Sequence, residues 1–162
     1  MNFEFSEKAD YQEYFGRAHN MVRRSVKEFV DKEIIPYVDE WEEMGEFPRE
    51  LYKKAGGVGL LGIGYPEELG GNGGDLTHVL CASEEMVLAG KSVGTLVGLG
   101  SLGIAIPPIV KFGTDEQKER FVKPVLTGEK VSALGITEPG GALSVSSPKL
   151  TTRRPLVTRY GG

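Results

Sequence analysis

Cysteine is almost missing from this chain: among its 162 residues Cys81 stands alone. A single thiol excludes an internal disulfide and a cysteine-ligated zinc site, and it fits a reducing compartment. Basic excess is missing as well. The formal net charge is -4, and no stretch is dense enough in Lys and Arg to mark a nucleic-acid surface. The opening Met1-Asn2-Phe3-Glu4-Phe5-Ser6-Glu7 is acidic and lacks the basic-then-apolar order of a signal peptide. An uninterrupted apolar run of the roughly 20 residues needed to span a bilayer is lacking too. The most apolar region, 93–110, is broken by Gly98, Gly100, Gly103, Pro107 and Pro108. From these absences we expect a soluble, cytoplasmic chain with no nucleic-acid partner, no membrane insertion and no metal site.

What is present is helical periodicity. Ser6 is a candidate cap for a first helix. Phe15, Ala18, Val22, Val26 and Phe29 then recur at spacings of three and four, one amphipathic face. Arg17, Arg23, Arg24 and Lys27 lie mostly off that face and read as solvated charge. Pro36 must end or kink the helix near Ile35. A second helix starts around Pro48, in its first turn, and loosens at Gly56-Gly57. The segment 66–75 is a loop on composition. It lacks the Gly-Lys-Ser/Thr ending of a phosphate loop, so a nucleotide reading fails. Asp75 or Thr77 caps a third helix, with Leu76, Val79, Leu80, Ser83, Val87 and Leu88 as candidate buried positions. Cys81 on it reads as a small buried residue. Glu84 and Glu85, adjacent on a helix, point apart and are no acid/base couple.

The segment 92–106 is a fourth helix or two short ones. Glycine inside a helix costs about 1 kcal/mol relative to alanine. Gly94, Gly98, Gly100 and Gly103 therefore call for either close helix packing or room for an apolar ligand. Thr114-Asp115-Glu116-Gln117 is a capping box. Residues 131–136 read as a strand, and it breaks into the turn Thr137-Glu138-Pro139-Gly140-Gly141. Pro139 fixes its own φ there, and the two glycines allow another molecule to approach the backbone. The expected fold is all-α, about five helices ending in one strand and turn.

Three parts of this pattern resemble the acyl-CoA dehydrogenases. The first is the set Phe47-Pro48-Arg49-Glu50-Leu51, Gly59-Leu60-Leu61-Gly62 and the loop 66–75. The second is Phe112-Gly113-Thr114-Asp115-Glu116-Gln117-Lys118 followed by Leu126-Thr127-Gly128-Glu129. The third is Ile136-Thr137-Glu138-Pro139-Gly140-Gly141. They run in family order over most of residues 3–141. The resemblance implies an N-terminal helical domain over 1–130, the start of a truncated middle β-domain over 131–145, and an atypical, disordered tail over 146–162. It further implies FAD as cofactor and an acyl-CoA thioester as substrate. A glutamate of a C-terminal domain takes the α-proton and flavin accepts hydride from the β-carbon. Electron-transfer flavoprotein is the usual partner and a tetramer the usual assembly. Carried over by position, Leu134, Ile136 and Thr137 are the flavin contacts, the first two through backbone groups and Thr137 through its hydroxyl. The helix over 93–106 is similar to the one lining the family's acyl pocket. No catalytic residue is assigned within this chain.

The sequence then departs from the family, which continues Thr-Glu-Pro-x-x-Gly-Ser-Asp. Here Ala142 and Leu143 replace the Gly and Ser, and Ser144 follows. After Glu138 no Asp or Glu occurs, while Lys149, Arg153, Arg154 and Arg159 remain. A frameshift near Gly141 would give such a change. The reading is a truncated FAD-dependent acyl-CoA dehydrogenase, inactive alone. The alternatives are a non-catalytic helical module that associates with full-length dehydrogenase subunits, or a fragment of an acyl-CoA oxidase.

Overall fold

A computed structural model describes residues 14–135, and every structural statement below concerns them. The proposed Ser6 cap, Ile136, Thr137 and the tail lie outside this range. The order is α1 (Arg17–Glu33), α2 (Val38–Met44), α3 (Glu50–Gly57), two 3-10 turns (Leu60–Gly62 and Glu67–Leu69), α4 (Leu76–Gly90), α5 (Val93–Gly100), α6 (Leu102–Ala105), α7 (Pro107–Phe112), α8 (Asp115–Gln117), a π turn (Lys118–Val122) and α9 (Lys123–Leu126). The described chain is all-α, as expected. The strand anticipated over 131–136 is not formed over 131–135, which carry no regular structure. A strand exists only against a ladder partner, and the described residues offer it none.

Helix α1 ends just before Pro36 and buries Val26 and Phe29, as the spacing predicts, together with Val30; Ala18, expected on that face, is exposed, and Phe15 precedes the helix. It runs parallel to α4, with His19 beside Thr77, Arg23 beside Glu84 and Val30 beside Gly90. The buried face of α4 is Cys81, Ala82, Glu85, Met86 and Gly90. This corrects the expected face: Leu76 is 81% and Leu80 55% exposed. Small residues along the Cys81 side let α1 come close, and close contact over the helix's length outweighs the burial of two leucines. Arg23 is also corrected. It is not solvated: it pairs with Glu84, and Glu85 lies 3.8 Å away.

The core gathers Val30, Ile34, Trp41, Leu51, Ala55, Ile106, Val122 and Leu126. Backbone meets backbone where α3 crosses the end of α9. A Cβ at Gly56 would lie 2.3 Å from the Thr127 carbonyl, and Gly128, at φ +76°, sits against the Tyr52 carbonyl. Only glycine fits such a crossing. The capping box holds, with Thr114 N–H donating to Gln117 Oε1 at 2.9 Å and Gln117 N–H to Thr114 Oγ1 at 3.2 Å. Pro124 has no N–H for the carbonyl of Arg120, and Lys130 Nζ reaches that oxygen at 3.5 Å instead.

Helices α5 to α7 follow one another as a single helical run, Val93–Phe112, of mean hydropathy 1.8. Length and composition alone would let it cross a membrane, and 22% of its most apolar window is buried within the fold. Here it sends Leu99, Leu102 and Ile106 into the core. Pro107 and Pro108 do not break it, because they fall in the first turn of α7, where a missing N–H costs nothing.

Candidate functional site

A cavity of about 510 Å³ opens between the 60–66 turn, α4 and the α5–α7 run. Its walls are apolar. Leu60, Ile63 and Tyr65 close one side, Val79 and Met86 of α4 another, and Leu96, Gly100, Gly103, Pro107 and Val110 the third. The last five recur at spacings of three and four, so one face of the run turns to the cavity.

The helix glycines divide by function. At Gly98 a Cβ would meet the Phe47 ring at 2.5 Å, so this glycine serves packing, and Gly94 lies against Glu42 and Ser92. At Gly100 and Gly103 a Cβ would meet nothing within 4 Å. Both of these line the cavity. Their absent side chains are therefore cavity space. The glycine-rich run is held from its flank by two phenols: Tyr52 Oη donates to the Gly98 carbonyl at 3.1 Å and Tyr65 Oη to the Leu102 carbonyl at 3.4 Å. Burial pushes both phenols above their ordinary pKa, so they stay protonated donors at neutral pH.

Among the described residues no carboxylate lines the cavity, and the side-chain hydroxyls that do are those of Tyr65 and Ser83. The loop 66–75 offers no amide cradle either. The N–H groups of Gly70, Gly71, Asn72 and Gly73 bond to the carbonyls of Glu67, Pro66, Gly62 and Tyr65. Cys81 is buried, and burial raises its thiol pKa, so it is an inert core group.

Of the three predicted cofactor contacts, Leu134 is described and is 52% exposed; Ile136 and Thr137 lie outside the described residues. The segment leading to them is tied down on one side. Ser101 Oγ donates to the Ser132 carbonyl at 3.1 Å and Lys130 N–H to the Pro124 carbonyl at 2.8 Å. The Ser132 hydroxyl is buried with no partner. A buried hydroxyl with no partner among the described residues suits a polar ligand edge. Sequence reasoning found the α5–α7 wall through its glycines. It missed Val79, Met86 and Tyr65, which reach the cavity only through tertiary packing.

Comparison with known proteins gives a consistent result. Residues 16–129 match the family described as "Acyl-CoA dehydrogenase, N-terminal domain". The chain is 39% identical over 140 residues to the mitochondrial long-chain specific acyl-CoA dehydrogenase of Rattus norvegicus, covering 86% of this chain and 32% of that protein. It is 40% identical over 129 residues to the CarC subunit of the caffeyl-CoA reductase-Etf complex of Acetobacterium woodii, covering 78% of this chain and 34% of that one. It superposes on the crystal structure of an acyl-CoA dehydrogenase complexed with FAD from Bacillus anthracis with a TM-score of 0.69. That match has 34% identity and covers 86% of this chain and 23% of the other. The chain spans about a third of the length of the curated relatives it matches.

Proposed function

This chain belongs to the acyl-CoA dehydrogenase family, and from that membership we propose that it supplies the helical domain of an FAD-dependent α,β-dehydrogenase of acyl-CoA thioesters. The observation that carries the substrate reading is the apolar cavity with two glycines facing open space. The acyl tail lies along Leu96, Gly100, Gly103 and Val110, and burial of its methylenes drives binding at about 0.8 kcal/mol each. Tyr52 and Tyr65 hold the glycine-interrupted helix in place, so the groove keeps its width.

Leu134, Ile136 and Thr137 hold the cofactor, which when bound supplies the two-electron acceptor. The exposure of Leu134 and the Ser132 hydroxyl, which has no partner among the described residues, fit such a ligand. We assign no catalytic base to the cavity, because no carboxylate among the described residues faces it. We propose that the 162 residues by themselves bind but do not turn over. Electron-transfer flavoprotein as partner is supported by the Etf complex to which the CarC relative belongs. A tetrameric assembly and a cytoplasmic location complete the proposal. Because that relative is named as a reductase, any turnover assay of an assembled enzyme runs in both directions.

The test is calorimetric titration of the purified chain with saturated acyl-CoAs of increasing length, repeated on Gly103→Leu. Affinity should rise with length in the wild type. The variant should lose the longest thioesters by tenfold or more and keep the shortest. Length-independent affinity in both proteins would refute the acyl reading. A flavin absorbance band that survives gel filtration would separately support the cofactor assignment.

A further inference from the structure

The chain has two histidines, separated by 58 residues, and the fold stacks them. Their ring centroids are 3.9 Å apart with planes 24° from parallel. Each is the N3 residue of a helix, His19 in α1 and His78 in α4. His19 accepts from the N–H of the N-cap Gly16, and the Asp75 carboxylate caps α4. The parallel packing of α1 and α4 brings the two helix starts together.

Hydrogen-bond direction in this cluster is fixed by a backbone donor. Gly16 N–H donates to His19 Nδ1 at 2.9 Å. A neutral imidazole that accepts at Nδ1 carries its proton on Nε2. His19 Nε2–H therefore donates to Thr77 Oγ1 at 2.7 Å, and the Thr77 hydroxyl donates to Asp75 Oδ1. The same oxygen caps α4, accepting from Thr77 N–H at 2.9 Å. A continuous relay thus joins the N-cap of α1 to the N-cap of α4. His78 is less committed: its Nδ1 lies 2.8 Å from Asp75 Oδ1 and 3.3 Å from Asp75 N–H. The shorter contact lets it donate to the carboxylate in either protonation state.

The side chains of His19, Asp75 and His78 place one ligand atom each within 4.8 Å of the others. His19 Nε2 carries the proton, however, and Nδ1 is taken by Gly16. The arrangement is built to hold helix starts, and a cation would have to break the α1 cap.

We propose that His19 and His78 form a pH-sensitive clasp between the starts of α1 and α4, which opens when His19 becomes an imidazolium. A proton on Nδ1 sets two donors, Gly16 N–H and Nδ1–H, against each other. It also places positive charge at the positive ends of two parallel helices. Among the described residues the charged neighbours are Asp75, bonded to His78, and Arg23 of α1, whose guanidinium lies 5.5 Å above the Phe15 ring, itself edge-on to His19. Arg23 is held by Glu84 and Glu85 one turn further on. The Asp75 carboxylate reaches His19 through the Thr77 hydroxyl, on the Nε2 side of the ring, and leaves the Nδ1 side to Gly16. Val79, next to His78, lines the cavity, so opening the α4 start deforms that wall.

The test is amide hydrogen exchange of the whole chain at about pH 8 and about pH 5, the interval over which imidazoles change charge, with exchange corrected for its intrinsic pH dependence. Glutamine at N3 keeps an acceptor and takes up no proton. Wild-type protection at Gly16, Asn20 and residues 77–79 should fall about tenfold on acidification, the size expected for loss of a helix cap. In His19→Gln it should hold steady. In His78→Gln most of the response should remain. In the wild type, NMR shifts of those amides should follow the His19 ring titration, a check that needs no variant. Equal pH responses in wild type and His19→Gln would overturn the proposal, as would helix-start amides that ignore the His19 titration.

Discussion

Helices α1 and α4 lie against each other along their length, and a side chain begun at Gly90 would already touch Val30 at 3.5 Å. Helices α5 to α7 instead leave Gly100 and Gly103 facing space, with Val97 and Ile104 each 64% exposed. The first contact contains charge: Arg23, Glu84 and Glu85 lie within it, and it stays closed because they pair. The second is almost purely apolar and stays open. Apolar content therefore does not set how tightly a helix packs here. What decides is whether small residues face a neighbouring backbone or a void.

The largest test of the comparison is Ile34→Ala, which empties a fully buried site at the base of α1. It should cost about 2–5 kcal/mol, read from the denaturant midpoint. An equivalent truncation on the open run, Val97→Ala, should cost well under about 1 kcal/mol. Next comes Arg23→Met. It keeps the packing of the stem but leaves Glu84 and Glu85 without their guanidinium, and should cost about 2–3 kcal/mol, below the full value for a buried pair because Glu84 is partly solvated. A neutral result would mean that the charges are incidental to the α1–α4 contact.

The glycines sharpen the contrast within one helix. Gly98→Ala drives a methyl into the Phe47 ring and should destabilise by about 1–3 kcal/mol. Gly103→Ala fills open space and should stabilise by about 0.5–1 kcal/mol through helix propensity. Thermal melts of the two variants should thus shift in opposite directions. The smallest effect concerns acid. Hydrogen bonds from Thr77, then His78, hold the Asp75 carboxyl well below the usual carboxylate range. A carboxylate so depressed contributes stability above its unfolded pKa of about 3.9, and that contribution fades as pH falls through the lower folded value. Asp75→Asn keeps the cap oxygen and should flatten the stability profile below about pH 4.

Much of this could be read along the chain. The α1 face, the stop before Pro36, the Thr114–Gln117 box and the Asp75 cap all rest on bonds between residues at most four apart. The expected face of α4 was misread for a reason that periodicity cannot see. Leu76, Leu80 and Val87 form a plausible stripe, but the neighbour that arrived chose the side of Cys81 and Ala82. Arg23 was misread in the same way, since its partners lie 61 and 62 positions on.

By itself the sequence determined the helical class, the stop of α1 before Pro36, the Asp75 and Thr114 caps and the family resemblance, because caps, prolines and motif order act locally and need no partner. Tertiary structure alone decided which two of four glycines became empty space, which arginine left solvent, and that two histidines far apart in sequence stack at the joined starts of α1 and α4. Those outcomes depend on the relative placement of helices, which is set by packing between surfaces that no local window contains.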